Sequence, residues 1–320
     1  RKLIIQAKEA GVDCVKFQSW SKESIFSRKT YEENYFVADD YRSRADYTLE
    51  QIVEEFSISE EELLEMKAFA DQVGIDCTST PFSKREADFL VDNLNSPFIK
   101  VASMDLNNYP FLEYLAKKDR PIILSTGLSE MYEIDKAIRT IENAGNNKIV
   151  ILHCVSIYPP KDEQVNLRNI LTLQKIYPNY PIGFSDHTLG TSIPIASVAL
   201  GVCVIEKHFT LDRSIIGMDN QMAVESGEFE SIILSCKEAN AALGGEDRIL
   251  SDDEFAQRKL MRRSAVAGRK LESGHVLDRS DFNFKRPGTG IAPDLMETLL
   301  GRVLLRDVEY DDQIIETDVS

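Results

Sequence analysis

The sequence lacks the marks of several large protein classes. No apolar run reaches the ~18 residues that a bilayer-spanning helix needs. No signal peptide is visible at its start. The five cysteines, Cys14, Cys77, Cys154, Cys203 and Cys236, nowhere take CxxC spacing. They read as buried free thiols of a protein kept in a reducing cytoplasm. Positive charge is short: 37 Lys and Arg stand against 53 Asp and Glu, a net charge of −16. Such a surface repels nucleic acid and anionic lipid, so neither is an expected partner. An anionic small substrate would need a locally positive pocket. GxGxxG and Walker A stretches are both missing, which removes the usual support for a nucleotide-binding open sheet. Histidine is scarce, with four in 320 residues.

What remains is an ordinary globular composition, 43% hydrophobic and 28% charged. Strand and helix signals alternate over residues 1–243. The strand candidates are DCVKFQ (13–18), IDCTSTP (75–81), FIKVAS (98–103), PIILST (121–126), KIVILHC (148–154), PIGFSD (181–186) and CVIEKHF (203–209). Helices are expected over 57–74, 129–145, 166–178, 189–201 and 226–244. The first opens on a capping box, Ser59 with Glu62, and ends at Gly74. The second has Ser129 and Glu130 in its first turn and ends at Gly145.

The chain opens on RKLIIQAKEAG, a helical pattern without a Met, so one more strand is expected upstream. Eight strand–helix units make a TIM (β/α)8 barrel of class α/β, here over residues 1–245. An open doubly wound sheet is the alternative. Residues 19–56 form a long aromatic and charged insertion, expected as a loop on the active-site face. Residues 246–262 are charged and read as a bridge. Residues 263–320 read as a small, mostly β module with little core of its own.

The strand ends carry the chemistry. In order they offer Lys16 and Gln18, Thr80, Lys100 and Ser103, Ser125 and Thr126, His153, Ser185 and His187, and Glu206 and His208. In a parallel barrel these ends share one face, where active sites form. Each has a plain structural reading: hydroxyls cap helices, a lone histidine is hydrogen-bonded, and a lysine reaches solvent. Seven polar ends in a row are harder to explain that way. The lysines and hydroxyls suit a small, strongly anionic ligand such as one bearing phosphate and carboxylate. His187 and His208, 21 positions apart on neighbouring strands, can converge on one divalent metal and leave positions open for water and substrate. His275, in an ESGHVL turn, is expected to be exposed.

Several stretches resemble the sialic acid synthase family. They are VKFQ (15–18), STPF (79–82), KVAS with NNYP (100–110), ILSTG (123–127), LHCVSIYP (152–159), GFSDHTLG (183–190) and IEKHFTLD (205–212). KRPGTGI (285–291) is similar to the antifreeze-like (SAF) domain that follows the barrel in that family. The resemblance implies a synthase that condenses phosphoenolpyruvate with an acylamino sugar such as N-acetylmannosamine, releasing phosphate by C–O cleavage. It implies a homodimer in which the SAF domain is swapped onto the partner barrel, and a divalent cofactor, Mn2+ or Mg2+.

By the same resemblance, His187 and His208 are the metal ligands. Lys16, Thr80, Lys100, Ser103, Ser125 and Ser185 surround phosphoenolpyruvate. Gln18, Asp105, Tyr158, Asp219 and Arg286 face the sugar, with Arg286 coming from the partner chain. Lys16 and Lys100 neutralise the anion, and Asp105 or Glu206 moves the proton. His153 supports the site without ligating the metal. Two residues depart from the family pattern: Asp105 stands where glutamate is common, and Asn220 where histidine is frequent. Legionaminic and pseudaminic acid synthases, acting on 6-deoxy diacetamido sugars, offer a rival substrate. A non-catalytic binding protein built around the SAF domain offers a rival class.

Overall fold

Short apolar runs become buried parallel strands here because helices cover the sheet from outside. The computed structural model describes residues 1–33, 48–215 and 219–320. The chain divides into two compact units, Arg1–Gly244 and Gly245–Ser320.

The first unit alternates helix and strand. It runs α1 (Lys2–Glu9), β1 (Cys14–Gln18), α2 (Lys22–Ile25), α3 (Arg28–Glu32), α4 (Leu49–Phe56), α5 (Glu60–Val73), β2 (Asp76–Thr80) and α6 (Lys84–Asp92). It continues with β3 (Ile99–Val101), α7 (Tyr109–Ala116), β4 (Ile122–Ser125), α8 (Met131–Asn143), β5 (Ile149–Cys154), α9 (Asp162–Val165) and α10 (Asn169–Ile176). Then come β6 (Ile182–Asp186), α11 (Ser192–Val198), β7 (Ile205–Lys207) and α12 (Ser226–Leu243). These seven strands are the seven expected.

β1 pairs with β2 in parallel, with Gln18 opposite Thr80. β3 to β7 form a five-stranded parallel sheet in chain order, and β2 lies against β3. The order of the strands never reverses, so the doubly wound alternative falls. Parallel neighbours joined by outer helices curl into a β/α barrel, and every strand points its carboxyl end the same way.

The core follows from the pattern. Ile99, Val101, Ile122, Leu124, Ile149, Ile151 and Ile182 leave the strands and pack against Leu112, Leu115, Ile134, Ile138 and Ile141 of the covering helices. Fully burying each such side chain contributes about 1.5–3 kcal/mol. Leu112→Ala would cost about 2–5 kcal/mol through the cavity it leaves.

Caps set the helix ends. Ser59 accepts from the Glu62 amide, and Glu62 accepts from the Ser59 amide, so α5 has the expected capping box. Gly74 ends that helix at φ 78°, where a side chain would be strained. α8 starts later than expected: Glu130 and Glu133 make its box, and the Ser129 hydroxyl instead donates to the Gly127 carbonyl. The insertion has its own small core, with Trp20, Leu49 and Val53 buried against Ile25, Phe26, Tyr31, Phe56 and Phe82. Residues 34–47 of it lie outside the described part.

The second unit contains α13 (Asp252–Met261), β8 (Ser264–Ala267) and β9 (Phe282–Lys285), with β8 and β9 antiparallel. α13 lies in the stretch read as a charged bridge. Its charges have a helical logic: Asp252, Asp253 and Glu254 fill the first turn, and Arg258 and Lys259 the last. The unit has more core than its sequence suggested. Ala265, Leu271, Leu277, Leu304, Val308 and Ile314 are all at most 1% exposed. His275 is not free either. Its Nε2 stands 2.7 Å from the fully buried Asp281 carboxylate, which also accepts from Arg269. Among the described residues no helix is long and apolar enough to cross a membrane.

Candidate active site

The carboxyl ends of β1 to β7 bring most of the strand-end polar groups together. Lys16 leaves β1 and donates to Thr80 Oγ1 of β2 at 3.3 Å. Its Nζ is also 3.5 Å from Glu206 Oε2. Lys100, 3% exposed, donates to Ser125 Oγ at 2.7 Å and to the Val101 carbonyl at 2.9 Å. Its Nζ lies 3.7 Å from Glu206 Oε1. Ser185 closes the group, its hydroxyl donating to Glu206 Oε1 at 2.8 Å. One carboxylate thus serves two ammonium groups, and the cluster keeps a net positive charge.

The titration behaviour follows from that count. Burial pushes the Lys100 ammonium down, and Glu206 pulls it partly back. Burial works against the Glu206 carboxylate as well. Lys100, then Lys16, outweigh it and hold the carboxyl far below the usual range. Glu206 is therefore ionised at neutral pH and can accept a proton but not deliver one.

A second group lies beside the first. His187 and His208 have ring centroids 5.4 Å apart. Tyr158 packs on both, at 4.5 Å from His187 and 6.3 Å from His208. His187 Nδ1 is 2.9 Å from the Val155 carbonyl, which assigns a proton to Nδ1. Burial works against a second proton, but Cys154 and that carbonyl outweigh it and hold the imidazole above its ordinary value in the metal-free protein. Burial, with His187 and Lys16 nearby, pushes His208 down to about 3, so it is neutral at pH 7. Its Nδ1 is 3.7 Å from Asp219 Oδ2. Burial raises the Asp219 carboxyl, with His187, Lys16 and the Gln18 amide opposing the rise.

A divalent cation fits this donor set. One imidazole is fixed by a backbone carbonyl, as ligating histidines usually are, and the other is kept unprotonated. Among the described residues no third His, Cys, Asp or Glu joins them in a cluster that could hold a metal. The set suits an open site rather than a closed structural one.

Four residues have other partners or lie elsewhere in the chain. Asp105, in the short turn after β3, accepts from Asn108 Nδ2 at 3.1 Å rather than from a lysine or histidine. Burial pushes its carboxyl up. Arg286 belongs to the second unit, in the loop after β9. Asn220 donates to the Ile215 carbonyl. His153, 4% exposed, turns away from the pocket: its Nε2 is 2.7 Å from the Val165 carbonyl, and its ring stacks on Phe184.

Sequence reasoning missed Cys154. It reads as one more apolar residue ending β5, yet its Sγ lies 3.5 Å from Ser103 Oγ, 3.7 Å from Ser156 Oγ and 3.9 Å from His187 Nδ1. Gly127 belongs to the same corner. A β-carbon there would stand 2.2 Å from Ser156 Oγ and 2.7 Å from Ser103 Oγ. Its amide donates to Ser103 Oγ at 3.1 Å. Of the other thiols, Cys77 is buried as expected, Cys14 and Cys236 are half-buried, and Cys203 is exposed.

Residues 3–248 match the NeuB family, and residues 262–320 match the SAF domain. The chain belongs to the NeuB family. An uncharacterized protein of Methanocaldococcus jannaschii is 39% identical over 100% of this chain and 89% of its own length. The N-acetylneuraminate-9-phosphate synthase of Homo sapiens is 35% identical, over 99% of this chain and 87% of its own. The N,N'-diacetyllegionaminic acid synthase of Legionella pneumophila is 34% identical, over 94% and 84%. The crystal structure of the N-acetylneuraminic acid synthetase from Leptospira borgpetersenii superposes with a TM-score of 0.70 at 28% identity, covering 80% of this chain and 83% of that one. The curled parallel sheet is therefore the TIM-barrel-like fold of this family, followed by a small β region.

Proposed function

We propose that this NeuB-family chain is a nonulosonic acid synthase that joins phosphoenolpyruvate to an acylamino sugar and releases phosphate. One observation carries the reading. Lys16 and Lys100 share the single carboxylate of Glu206, so a chain of net charge −16 concentrates positive charge at its strand ends. A small anion bearing phosphate and carboxylate is drawn to that excess.

Lys16, Lys100, Thr80, Ser103, Ser125 and Ser185 bind and orient phosphoenolpyruvate, the ammonium groups neutralising it and the hydroxyls fixing its register. Bond formation joins its C3 to the sugar's carbonyl carbon, water adds at C2, and phosphate leaves with the C2 oxygen. Glu206, ionised at the outset, accepts the proton released by that water. Its two lysines then keep it from holding the proton tightly. Gln18, Tyr158 and Asp219 line the sugar side, and Tyr158 packs against both histidines. Asp105, half-buried one turn after β3, extends that side. His187 and His208 would hold Mn2+ or Mg2+, which supplies Lewis-acid polarisation of the sugar carbonyl when bound. The reading includes a homodimer in which Arg286 serves the partner's site. A mass of two chains in light scattering is expected.

The test is phosphate release from phosphoenolpyruvate with Mn2+ and a panel of sugars. N-acetylmannosamine, its 6-phosphate and 6-deoxy diacetamido sugars are the arms. Turnover of one arm well above the others names the substrate. No release with any arm would defeat the synthase reading and favour a binding protein. In His187→Ala, metal-dependent release should disappear.

A further inference from the structure

The ends of β6 and β7 carry a charged pair that the reaction does not use. Asp186 and Lys207 are register partners across the two strands. Lys207 Nζ donates to Asp186 Oδ2 at 2.5 Å, and both side chains are 0% exposed. Side chains alternate across a sheet. The rung before this one, Ser185 with Glu206, faces the anion cluster. The step after it, His187 with His208, faces the same side. Asp186 and Lys207 therefore point the other way, out of the barrel's interior.

The pair also grips the chain beyond His187. Asp186 Oδ1 accepts from the Thr188 amide at 2.9 Å. Lys207 Nζ donates to the Thr188 carbonyl at 2.7 Å. The His187 backbone is thus fixed on both sides, at residue 186 and at residue 188. The His208 backbone is fixed through its neighbour Lys207.

A buried ion pair is a demanding way to hold two strand ends. Apolar residues of like volume would hold the strands together at least as well. What the pair adds is direction: fixed hydrogen-bond geometry at a place where two imidazoles must meet one small ion.

We propose that Asp186 and Lys207 are positioning residues that set the separation of His187 and His208, and thereby the affinity for the divalent cation. The inference rests on the reading that those two histidines hold the ion. Partners behind metal ligands typically change affinity about 10–100-fold when lost.

The test reads Mn2+ binding directly, from the free-ion electron paramagnetic resonance signal during titration of the full chain. Phosphoenolpyruvate affinity is measured separately by calorimetry in EDTA. Asp186→Asn should raise the Mn2+ Kd about 10–100-fold and leave phosphoenolpyruvate affinity unchanged. The double change Asp186→Leu with Lys207→Met removes both charges together and so guards against a single variant that does not fold. It should keep the wild-type circular dichroism and weaken Mn2+ in the same way. Unchanged Mn2+ affinity in a folded variant overturns the proposal. So does an equal loss of both affinities, since that marks general support of the strand ends. His187→Ala separates the two levels. If it binds Mn2+ as the wild type does, the histidine site itself is wrong. If it loses Mn2+ while both pair variants bind normally, only the positioning role is wrong.

Discussion

Lys100 and Lys207 sit on the same sheet, two strand-end lysines both sealed from solvent, and their surroundings differ in kind. Lys207 faces outward from the barrel and has a carboxylate of its own, Asp186, at 2.5 Å. Lys100 faces inward and shares Glu206 with Lys16, no closer than 3.7 Å. The first arrangement is complete and has no room for another ion. The second is short of one negative charge. Buried charge that is fully matched holds a fold in one geometry, and buried charge left in excess is prepared for a ligand.

Substituting the two lysines in the same way is the sharpest test of that difference. Lys100→Met should lower phosphate release by about 10²–10³-fold in kcat/KM, as loss of a group aimed at developing charge does. Its thermal midpoint should change little. Lys207→Met, assayed at saturating Mn2+, should keep most of its turnover and cost about 3–5 kcal/mol of stability, because Asp186 is left buried and alone. Differential scanning calorimetry with the phosphate assay on both variants settles it. Equal loss of stability in both would break the comparison.

A smaller effect comes from acid titration of the metal-free protein. Glu206 is held below its ordinary value of 4.5. Its stabilisation is whole above pH 4.5 and drains away as the pH falls beneath that. His208 shifts from 6.5 to about 3, so the unfolded chain binds the extra proton between those values. Stability is lost as the pH drops from 6.5 toward 3. His208→Gln should flatten the first part of the acid slope, above pH 4.5. Glu206→Gln should flatten only the part below it. A wild-type slope in both variants would show that these groups do not titrate as their neighbours dictate.

The smallest effect belongs to surface pairs, such as Lys117 with Glu113 one turn apart on α7. Lys117→Ala should change stability by less than about 0.5 kcal/mol. It fixes the low end of the same scale, a charge pair in water beside one out of it.

Much of this was legible in the residues. β4 and β5 announced themselves as apolar runs, IILS and IVILHC, because both faces of a parallel strand are covered. Ser59 with Glu62 marked the start of α5 for a local reason, a reciprocal hydrogen bond needing only four residues. Lys16, Lys100, Ser125 and Ser185 could be placed on one face because every strand runs the same way.

The misreadings share a cause. Asp186 and Lys207 drew no reading of their own, since nothing local tells which side of a strand a charge faces once the helices close over it. Cys154 looked like core because its partners, Ser103 and His187, lie 51 and 33 positions away. His275 looked exposed because Asp281 finds it only after the chain turns back. Pairings set by tertiary contact leave no periodic trace.

Gly127 bears on any attempt to broaden the sugar range by mutagenesis. The cleft beside it is walled by Ser103, Cys154 and Ser156, and even a methyl group would collide with two hydroxyls. A library randomised at position 127 should therefore return almost only the parental codon. Diversity has to be sought along the exposed rim, at Met104, Tyr158 or Leu189, where side chains already reach open solvent.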